Sequence, residues 1–325
     1  MSVRGYASAT HRGLKRRRNE DAHVLAPPLF AVADGMGGAQ AGEVASKLAA
    51  AALEDTDSGA LSGSERVKSL IAEANRRVYE RSTADPAASG MGTTMTVALV
   101  EGNVVTIGHV GDSRAYLVRD GRMEQLTEDH SLVNELMKSG KLSPEEAETH
   151  PQRSVITRAL GTDPDVDVDA FAMDAQTGDV FLLCSDGLTT MVDDADILEL
   201  LERHRDDLDR AAKALVSAAN RGGGEDNVTV VAFTIAADGS DTVQMPAATP
   251  ADEDTLDGVQ PPPPAVDTMV IPAEQVDAAL LPPRPAEAAA GGRPAVAPAA
   301  RVRLVLAMLA LLAVAAVLLV WGLLR

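Results

Sequence analysis

The sequence has very little cysteine and a shortage of basic residues. Its 325 residues include one cysteine, Cys184, so no internal disulfide can form. The apolar neighbours of that cysteine, residues 181–183, predict a buried strand position rather than a catalytic thiol. Only 29 lysines and arginines stand against 48 acidic residues, a net charge of −19. This deficit disfavours a nucleic-acid-binding surface, and we expect no nucleic acid among the partners.

The N-terminus also lacks a signal peptide, whereas the C-terminus carries a long apolar run. Residues 304–324 are 21 residues without a charge, close to the ~20 that cross a bilayer. Arg301 and Arg303 precede this run and Arg325 follows it, so the positive-inside rule predicts a cytoplasmic main domain. We expect a single-pass anchor in the cell membrane; the alternative is a buried core helix.

Residues 237–303 lack the composition of a folded domain. The part from 237 to 300 holds 12 of the 18 prolines and no aromatic residue. Its 10 acidic and 2 basic residues give a segment charge of 2 − 10 = −8. Such a segment cannot build a core, and it is predicted to be a disordered, extended linker.

The first 236 residues predict a folded domain of mixed α/β composition. Strand-like and helix-like stretches alternate along it. The strands are predicted at 93–100, 104–110 and 228–233, and the helices at 43–54, 65–82, 195–203 and 207–219. The links at 101–103 and 119–122 are too short for a parallel crossover. We therefore expect hairpins and largely antiparallel sheets.

Four aspartates share one local setting, at the end of an apolar run and beside a glycine or a polar turn. They are Asp34, Asp112, Asp186 and Asp226. A single Asp-Gly pair is more often a turn than a ligand. Sheet edges would nevertheless bring four such carboxylates together, and their mutual repulsion requires a cation. Oxygen ligands without a histidine or cysteine pattern favour Mg²⁺ or Mn²⁺ over Zn²⁺.

The order of the motifs resembles one known family. The motifs are RRRNED at 16–21, ADGMGGAQAGEVAS at 33–46, GTT at 92–94, VGDSRAY at 110–116, LCSDG at 183–187 and GEDNVTV at 224–230. Over about residues 3–236 the chain resembles the metal-dependent protein serine/threonine phosphatases of the PPM or PP2C type, particularly bacterial membrane-anchored members. The resemblance implies two antiparallel sheets packed face to face with helices outside, an α-β-β-α sandwich.

The resemblance also implies a centre of two divalent ions. Asp34 would bridge the two metals, Gly35 would offer its backbone carbonyl to one of them, and Asp186 and Asp226 would complete the other shell. The glycines after Asp34 would let that carbonyl approach where a side chain would crowd it. Two such ions lower the pKa of a water that attacks phosphorus and screen the negative charge of the phosphate.

Further roles are implied outside this pair of metals. Asp21 would hold metal-bound waters, Asp112 would bind a third, weaker metal, and Arg16 would grip the substrate phosphate with its planar fork. The alternative for Arg16 is a solvated basic run at 15–18. The chain departs from many eukaryotic members at Met36, where those carry a histidine thought to protonate the leaving alkoxide.

The polar segment from Asp129 to Gly161 resembles the flap of the family, which borders the site and influences substrate choice. It contains His130 and His150, two further candidates for catalysis, although a surface position is commoner for histidine.

The leading hypothesis is thus a membrane-tethered phosphatase that removes phosphate from phosphoserine and phosphothreonine and opposes Ser/Thr kinases. Phosphorylated proteins, including membrane Ser/Thr kinases, are the expected partners. One alternative is a phosphoprotein-binding scaffold that has lost turnover, and the intact aspartates argue against it. Another is a two-metal nuclease, which the net charge of −19 disfavours.

The linker contains a near-repeat, DTVQMP at 241–246 and DTMVIP at 267–272. Chance in a biased segment is one explanation. The alternative is that Thr242, Thr268 or both are phosphorylated by a kinase on the same membrane. Thr268 is favoured because Ile271 lies three residues later, a spacing that suits the phosphothreonine-reading FHA domains found beside such kinases.

Overall fold

A computed structural model of the chain describes residues 1–37, 41–56, 61–237 and 269–270. The strands, in chain order, are β1 (Ser2–His11), β2 (Asp21–Ala26), β3 (Leu29–Met36), β4 (Gly92–Thr93), β5 (Met95–Glu101), β6 (Val104–Val110), β7 (Arg114–Arg119), β8 (Arg122–Gln125), β9 (Val155–Ile156), β10 (Asp169–Asp174), β11 (Val180–Cys184), β12 (Val228–Ala236) and β13 (Met269–Val270).

The helices in the same part of the chain are α1 (Ala41–Asp55), α2 (Gly63–Ala84), α3 (Leu132–Lys138), α4 (Pro144–Glu148), α5 (Asp186–Thr189), α6 (Asp194–Arg203) and α7 (Leu208–Gly222). The four predicted helices correspond to α1, α2, α6 and α7. Thr94 separates β4 from β5, so the predicted strand 93–100 is divided at that residue.

Eleven of the thirteen strands of the described residues form two antiparallel sheets, and β9 and β13 form a separate pair. One sheet has the order β1-β12-β11-β7-β8, and the other has the order β10-β6-β5-β3-β2 with β4 paired to β3. Residue pairs close both predicted hairpins, Glu101 opposite Val104 and Arg119 opposite Arg122. The antiparallel prediction is therefore confirmed.

The two sheets pack face to face because apolar side chains lie on both faces of the central strands. On β3, Phe30 and Val32 point into the inter-sheet core, whereas Ala31 and Ala33 belong to the core under the helices. The Phe30 ring stacks on Phe233 of β12 with centroids 4.3 Å apart. The alternation follows from the two-residue period of a strand.

Helices cover the outer face of each sheet. On the six-stranded sheet, α1 and α2 bury Ala45, Ala49 and Leu70 against β3 and β5. On the five-stranded sheet, α6 and α7 bury Ile197 and Leu215 against β1, β11 and β12. This is the predicted sandwich of two antiparallel sheets flanked by helices. Cys184 ends β11 and is fully buried, as predicted.

Two residues of the predicted linker form a strand. Met269 and Val270 of β13 pair in parallel with Val155 and Ile156 of β9. Both residues belong to the compact unit that spans Met1–Val276. Apart from Ala237, the rest of the predicted linker and the whole predicted span 304–324 lie outside the described residues. Within the described residues, no helix combines the length and apolar character needed to cross a bilayer.

Candidate active site

Strand ends bring the predicted aspartates to one end of the sandwich. Asp21 begins β2 and lies opposite Asp34 in the β2–β3 register. Asp186 lies two residues after the end of β11, and Asp226 lies two residues before the start of β12, the neighbour of β11. Burial raises the pKa of Asp34 well above its ordinary value, and the charges of Asp21, Asp186, Asp226 and Asp112 raise it further. The five carboxylates therefore share one electrostatic site.

Asp21 is the most enclosed of these carboxylates, with 7% of its surface exposed. Its Oδ2 accepts a hydrogen bond of 2.9 Å from the Ser185 hydroxyl, while its buried Oδ1 has no partner among the described residues. Burial, opposed by hydrogen bonds and reinforced by the charges of Asp226 and Asp186, raises its pKa to about 7. A buried anionic oxygen without a partner is costly, so this position needs a proton or a cation.

The backbone of Asp34 is fixed by the Thr93–Thr94 pair. The Asp34 amide donates to the Thr94 hydroxyl at 2.9 Å. Its carbonyl accepts from the Thr93 hydroxyl at 2.8 Å and from the Thr94 amide at 2.9 Å. The sequence alone predicts no role for the motif GTT at 92–94. In the structure, its two threonines hold Asp34 in place.

Close packing explains the glycine at position 35. A Cβ on Gly35 would lie 2.2 Å from the Gly42 carbonyl oxygen and 2.5 Å from the Glu20 carbonyl oxygen. In turn, a Cβ on Gly42 would lie 2.8 Å from the Gly35 carbonyl. The first turn of α1 therefore packs directly on the end of β3. This contact requires glycine at both positions, in addition to the carbonyl access expected from the sequence.

Asp186 and Asp226 approach each other because the chain segments that carry them touch. A Cβ on Gly187 would lie 2.0 Å from the Asn227 carbonyl oxygen. Burial, with the charge of Asp226 as the second cause, raises the pKa of Asp186 to about 6. The buried Oδ1 of Asp186 has no hydrogen-bond partner among the described residues. It is the second such oxygen in the site.

Arg16 lies at the same centre rather than in a solvated basic run. Its Nη2 donates to Asp226 Oδ2 at 2.8 Å, and 19% of its side chain is exposed. Lys15, by contrast, is half exposed and pairs with Glu225 at 2.5 Å. Arg18 is also about half exposed and reaches Glu43 at 3.4 Å. Only Arg16 of these three cations is directed at a predicted metal ligand.

Asn227 is a positioning residue that sequence reasoning did not single out. Its side-chain amide donates to the carbonyls of Arg12 and Arg18 at 3.0 and 2.8 Å, and its Oδ1 accepts from the Glu20 amide at 2.8 Å. The side chain thus ties the 12–20 loop, which carries Arg16, to the start of β12. Its place next to Asp226 in GEDNVTV was the available signal.

Asp112 follows β6 at the edge of the group. Burial raises its pKa well above the ordinary value, and the charges of Asp186 and Asp129 add to the effect. The preceding residue, Gly111, has a φ of 112°. Its amide donates to His130 Nδ1 at 3.0 Å, and its carbonyl accepts from the His130 amide at 2.7 Å. His130 therefore fixes the turn that carries Asp112.

The histidines of the flap and Met36 occupy different environments. His130 is buried, contrary to the surface alternative, and its contacts are structural. His150 is partly exposed and caps the flap turn by accepting from the Gln152 amide at 3.2 Å. Met36 is buried in a small cluster with Ile156 and Ala159 of the flap. None of its side-chain atoms can donate a proton.

The carboxylates lie near one another without forming a closed ligand cage. Among the residues that the structure describes, no three acidic, histidine or cysteine side chains are gathered closely enough to hold a metal. The donor set nevertheless fits a hard divalent cation, because it consists of carboxylate oxygens, two of which are buried without a partner. A cation would satisfy both and relieve the repulsion that raises the pKa of Asp34.

Comparison with known proteins identifies the family. Residues 11–221 match the family model for Protein phosphatase 2C. The chain belongs to the protein phosphatase 2C family. It is similar to the serine/threonine phosphatase stp of Listeria innocua, at 42% identity over 233 residues that cover 68% of this chain and 92% of that protein. These findings confirm the predicted family and the predicted metal-dependent serine/threonine phosphatase.

Mycobacterial relatives extend the comparison. The serine/threonine protein phosphatase PstP of Mycobacterium tuberculosis is 44% identical over 228 residues, which cover 70% of this chain and 44% of that protein. A crystal structure of PstP matches with a TM-score of 0.69 at 42% identity and covers 73% of this chain and all of that one. A second PstP catalytic-domain structure, with a TM-score of 0.67, contains two manganese ions. The relatives thus support the predicted fold and the predicted Mn²⁺ or Mg²⁺.

Proposed function

We propose that this phosphatase hydrolyses phosphoserine and phosphothreonine with Asp34, Asp186 and Asp226 as ligands of two divalent ions, Mn²⁺ or Mg²⁺. The observation that carries the assignment is the pair of buried, unpartnered oxygens on Asp21 and Asp186. The charges of neighbouring carboxylates contribute to the raised pKa of both Asp21 and Asp186. A purely structural cluster would close such oxygens with hydrogen bonds.

The remaining ligand roles follow the chain. Gly35 would offer its carbonyl beside Asp34, Asp21 would hold water molecules at the centre, and Asp112 would serve a third, weaker site. When bound, the ions lower the pKa of water and screen the phosphate charge. The protein positions Asp34 through the hydrogen bond from its amide to the Thr94 hydroxyl. It positions the loop that carries Arg16 through the hydrogen bond from the Glu20 amide to Asn227.

Arg16 binds the substrate phosphate in this proposal. Its guanidinium donates to Asp226 at 2.8 Å, so a phosphate bound near that carboxylate would lie within its reach. A planar fork can contact two phosphate oxygens at once, and the positive charge complements the dianion. Because Met36 has no ionisable group, the leaving alkoxide takes its proton from water.

Turnover of a phosphothreonine peptide tests the assignment. We expect hydrolysis with Mn²⁺ and none with excess EDTA. Asp226→Asn should lower the rate by on the order of 10² or more, because it removes the charge of a ligand. Asp112→Asn should have a smaller effect at saturating Mn²⁺, and Asp206→Asn, at an exposed position, should have none. Equal, small effects at Asp226 and Asp112 would contradict the assignment.

The substrates are proposed to be phosphorylated proteins, including membrane Ser/Thr kinases. The support is the uncharged apolar run at 304–324, which as a membrane anchor would place the phosphatase on the same surface. Arg301 and Arg303 support a cytoplasmic catalytic domain. Membrane fractionation of cells that produce the full chain should recover it in the pellet after alkaline wash, and deletion of 304–325 should release it. Recovery of both forms in the soluble fraction would refute the anchor.

Thr268 is proposed as a phosphorylation site that recruits an FHA-domain partner. The support is the near-repeat of Asp-Thr in an acidic segment, with Ile271 three residues after the second threonine. The linker would raise the local concentration of the recruited partner. Full-length Asp186→Asn protein, which cannot erase its own marks, should be incubated with a membrane Ser/Thr kinase and mapped for phosphosites. Labelling elsewhere with Thr242 and Thr268 unmodified would make the linker a spacer only.

A further inference from the structure

The flap carries a short strand that is paired on both of its edges. On one edge of β9, Ile156 forms an antiparallel bridge with Ser131, and the Thr157 amide donates to the His130 carbonyl at 2.8 Å. On the other edge lies β13, with Met269 opposite Val155 and Val270 opposite Ile156. The second partner comes from a segment far along the chain, beyond the end of β12.

The backbone of β9 explains why this second edge can bind a strand. Because the Thr157 amide is directed at the His130 carbonyl, the amide and carbonyl of Ile156 point to the opposite edge. Ile156 is 1% exposed, and buried backbone polar groups require partners. An extended segment laid along this edge supplies them, as in binding by strand addition.

The strand also lies beside the active site. Ile156 packs against Met36, and Met36 is two residues beyond Asp34 on β3. A segment that runs along β9 therefore lies at the border of the carboxylate cluster. An extended stretch of a phosphoprotein whose phosphate is bound at this cluster can run along the same border.

We propose that the second edge of β9 is a docking site for an extended peptide, occupied by the chain's own β13 in competition with extended segments of phosphoprotein substrates. The linker is long enough for β13 to leave and return to this edge, because residues 238–268 can span up to about 100 Å when extended. It also places the docking segment at roughly millimolar effective concentration. The sequence Met-Val-Ile at 269–271 favours an extended backbone.

Hydrogen exchange on the full chain tests the docking. The triple variant Met269→Pro, Val270→Pro, Ile271→Pro removes three donors and cannot form a regular ladder. The matched control places the same three prolines at Val243, Gln244 and Met245 of the near-repeat. We expect the Ile156 amide to exchange faster in the triple variant than in the wild type and in the control. Equal exchange in all three proteins would overturn the docking.

Steady-state kinetics on the same three proteins test the competition, which rests on the proposed phosphatase activity. For a phosphothreonine peptide of about ten residues, the triple variant should show a KM several-fold lower than the wild type and the control. Hydrolysis of p-nitrophenyl phosphate should be equal in all three, because this small substrate does not reach β9. An unchanged KM with faster Ile156 exchange would overturn the competition. Loss of p-nitrophenyl phosphate hydrolysis in every protein would instead count against the proposed function.

Discussion

Two buried polar clusters in this phosphatase differ in how completely their polar atoms are hydrogen-bonded. In the histidine cluster, the rings of His109 and His130 lie 4.7 Å apart. His109 Nε2 donates to the Glu128 carbonyl at 3.1 Å, and its Nδ1 faces the Thr96 hydroxyl at 3.0 Å. His130 accepts the Gly111 amide on Nδ1 and contacts Asp169 through Nε2 at 3.2 Å. Each ring nitrogen has a partner from the protein.

The carboxylate cluster is left open. Asp21 and Asp186 each have a buried oxygen without a partner among the described residues, and Asp34 is held through its backbone. Burial lowers the pKa of His109 to about 3, which makes the ring neutral. It raises the pKa of Asp21 to about 7, which leaves a charge to be compensated. Complete hydrogen bonding thus marks a structural cluster, and incomplete hydrogen bonding marks a binding site.

The largest expected effect is at Asp186, in the carboxylate cluster. Asp186→Asn should lower phosphopeptide hydrolysis by on the order of 10² or more, because a ligand charge is lost. The same variant should be more stable than the wild type without metal. The folded-state pKa of about 6 exceeds the ordinary 3.8, so the wild type loses stability as pH rises from 3.8 through 6. Above pH 7 in EDTA, the free energy of unfolding should therefore be about 1 to 3 kcal/mol higher in the variant.

Urea unfolding with EDTA and with Mn²⁺ measures this reversal. Asp206→Asn, at an exposed position, is the matched control and should leave both activity and stability unchanged. A variant that is less stable than the wild type in EDTA would show that Asp186 is a structural carboxylate like those of a closed cluster.

A smaller effect is expected at Arg16, the cation that touches the open cluster. Arg16→Ala should raise the KM for a phosphothreonine peptide about 10-fold or more, since a charge-assisted phosphate contact is lost. Arg16→Lys should recover only part of it. Arg16→Ala removes the positive charge beside Asp226. That charge repels a bound cation, so the affinity for Mn²⁺ should stay equal or increase in the variant.

Calorimetric titration with Mn²⁺ separates binding of metal from binding of substrate. Lys15→Ala removes the neighbouring, half-exposed cation and should change neither quantity appreciably. Collapse of Mn²⁺ binding in Arg16→Ala would mean that the arginine holds the loop rather than the phosphate.

The smallest effect sharpens the comparison at His109. Its pKa of about 3 in the folded state lies below the ordinary 6.5. The stability that depends on its neutral form is therefore complete above pH 6.5 and is lost as pH falls from 6.5 toward 3. His109→Gln should be less stable than the wild type at pH 7.5, and that difference should shrink by about 1 kcal/mol at pH 5.5. Chemical denaturation at the two pH values measures it. A difference that does not change with pH would refute the neutral, buried ring.

Local patterns were sufficient to predict much of the architecture. The three-residue link at 101–103 predicts a hairpin because no crossover fits it, and Glu101 does lie opposite Val104. The apolar neighbours of Cys184 predict its buried strand position. The role of Asn227 was not predictable in this way, because its partners Arg12, Arg18 and Glu20 are about 200 residues distant in sequence.

The sequence alone determined which residue types are available and where the strands turn. Asp34, Asp186 and Asp226 follow or precede apolar runs, so their place at sheet ends is a local property. Only the tertiary structure decided that Arg16 contacts Asp226, that α1 packs on Gly35, and that His130 is buried behind Asp112. These outcomes depend on which segments meet across the sandwich. Sequence patterns report the local backbone, whereas hydrogen bonds and close packing between distant segments arise only once both sheets and their helices are assembled.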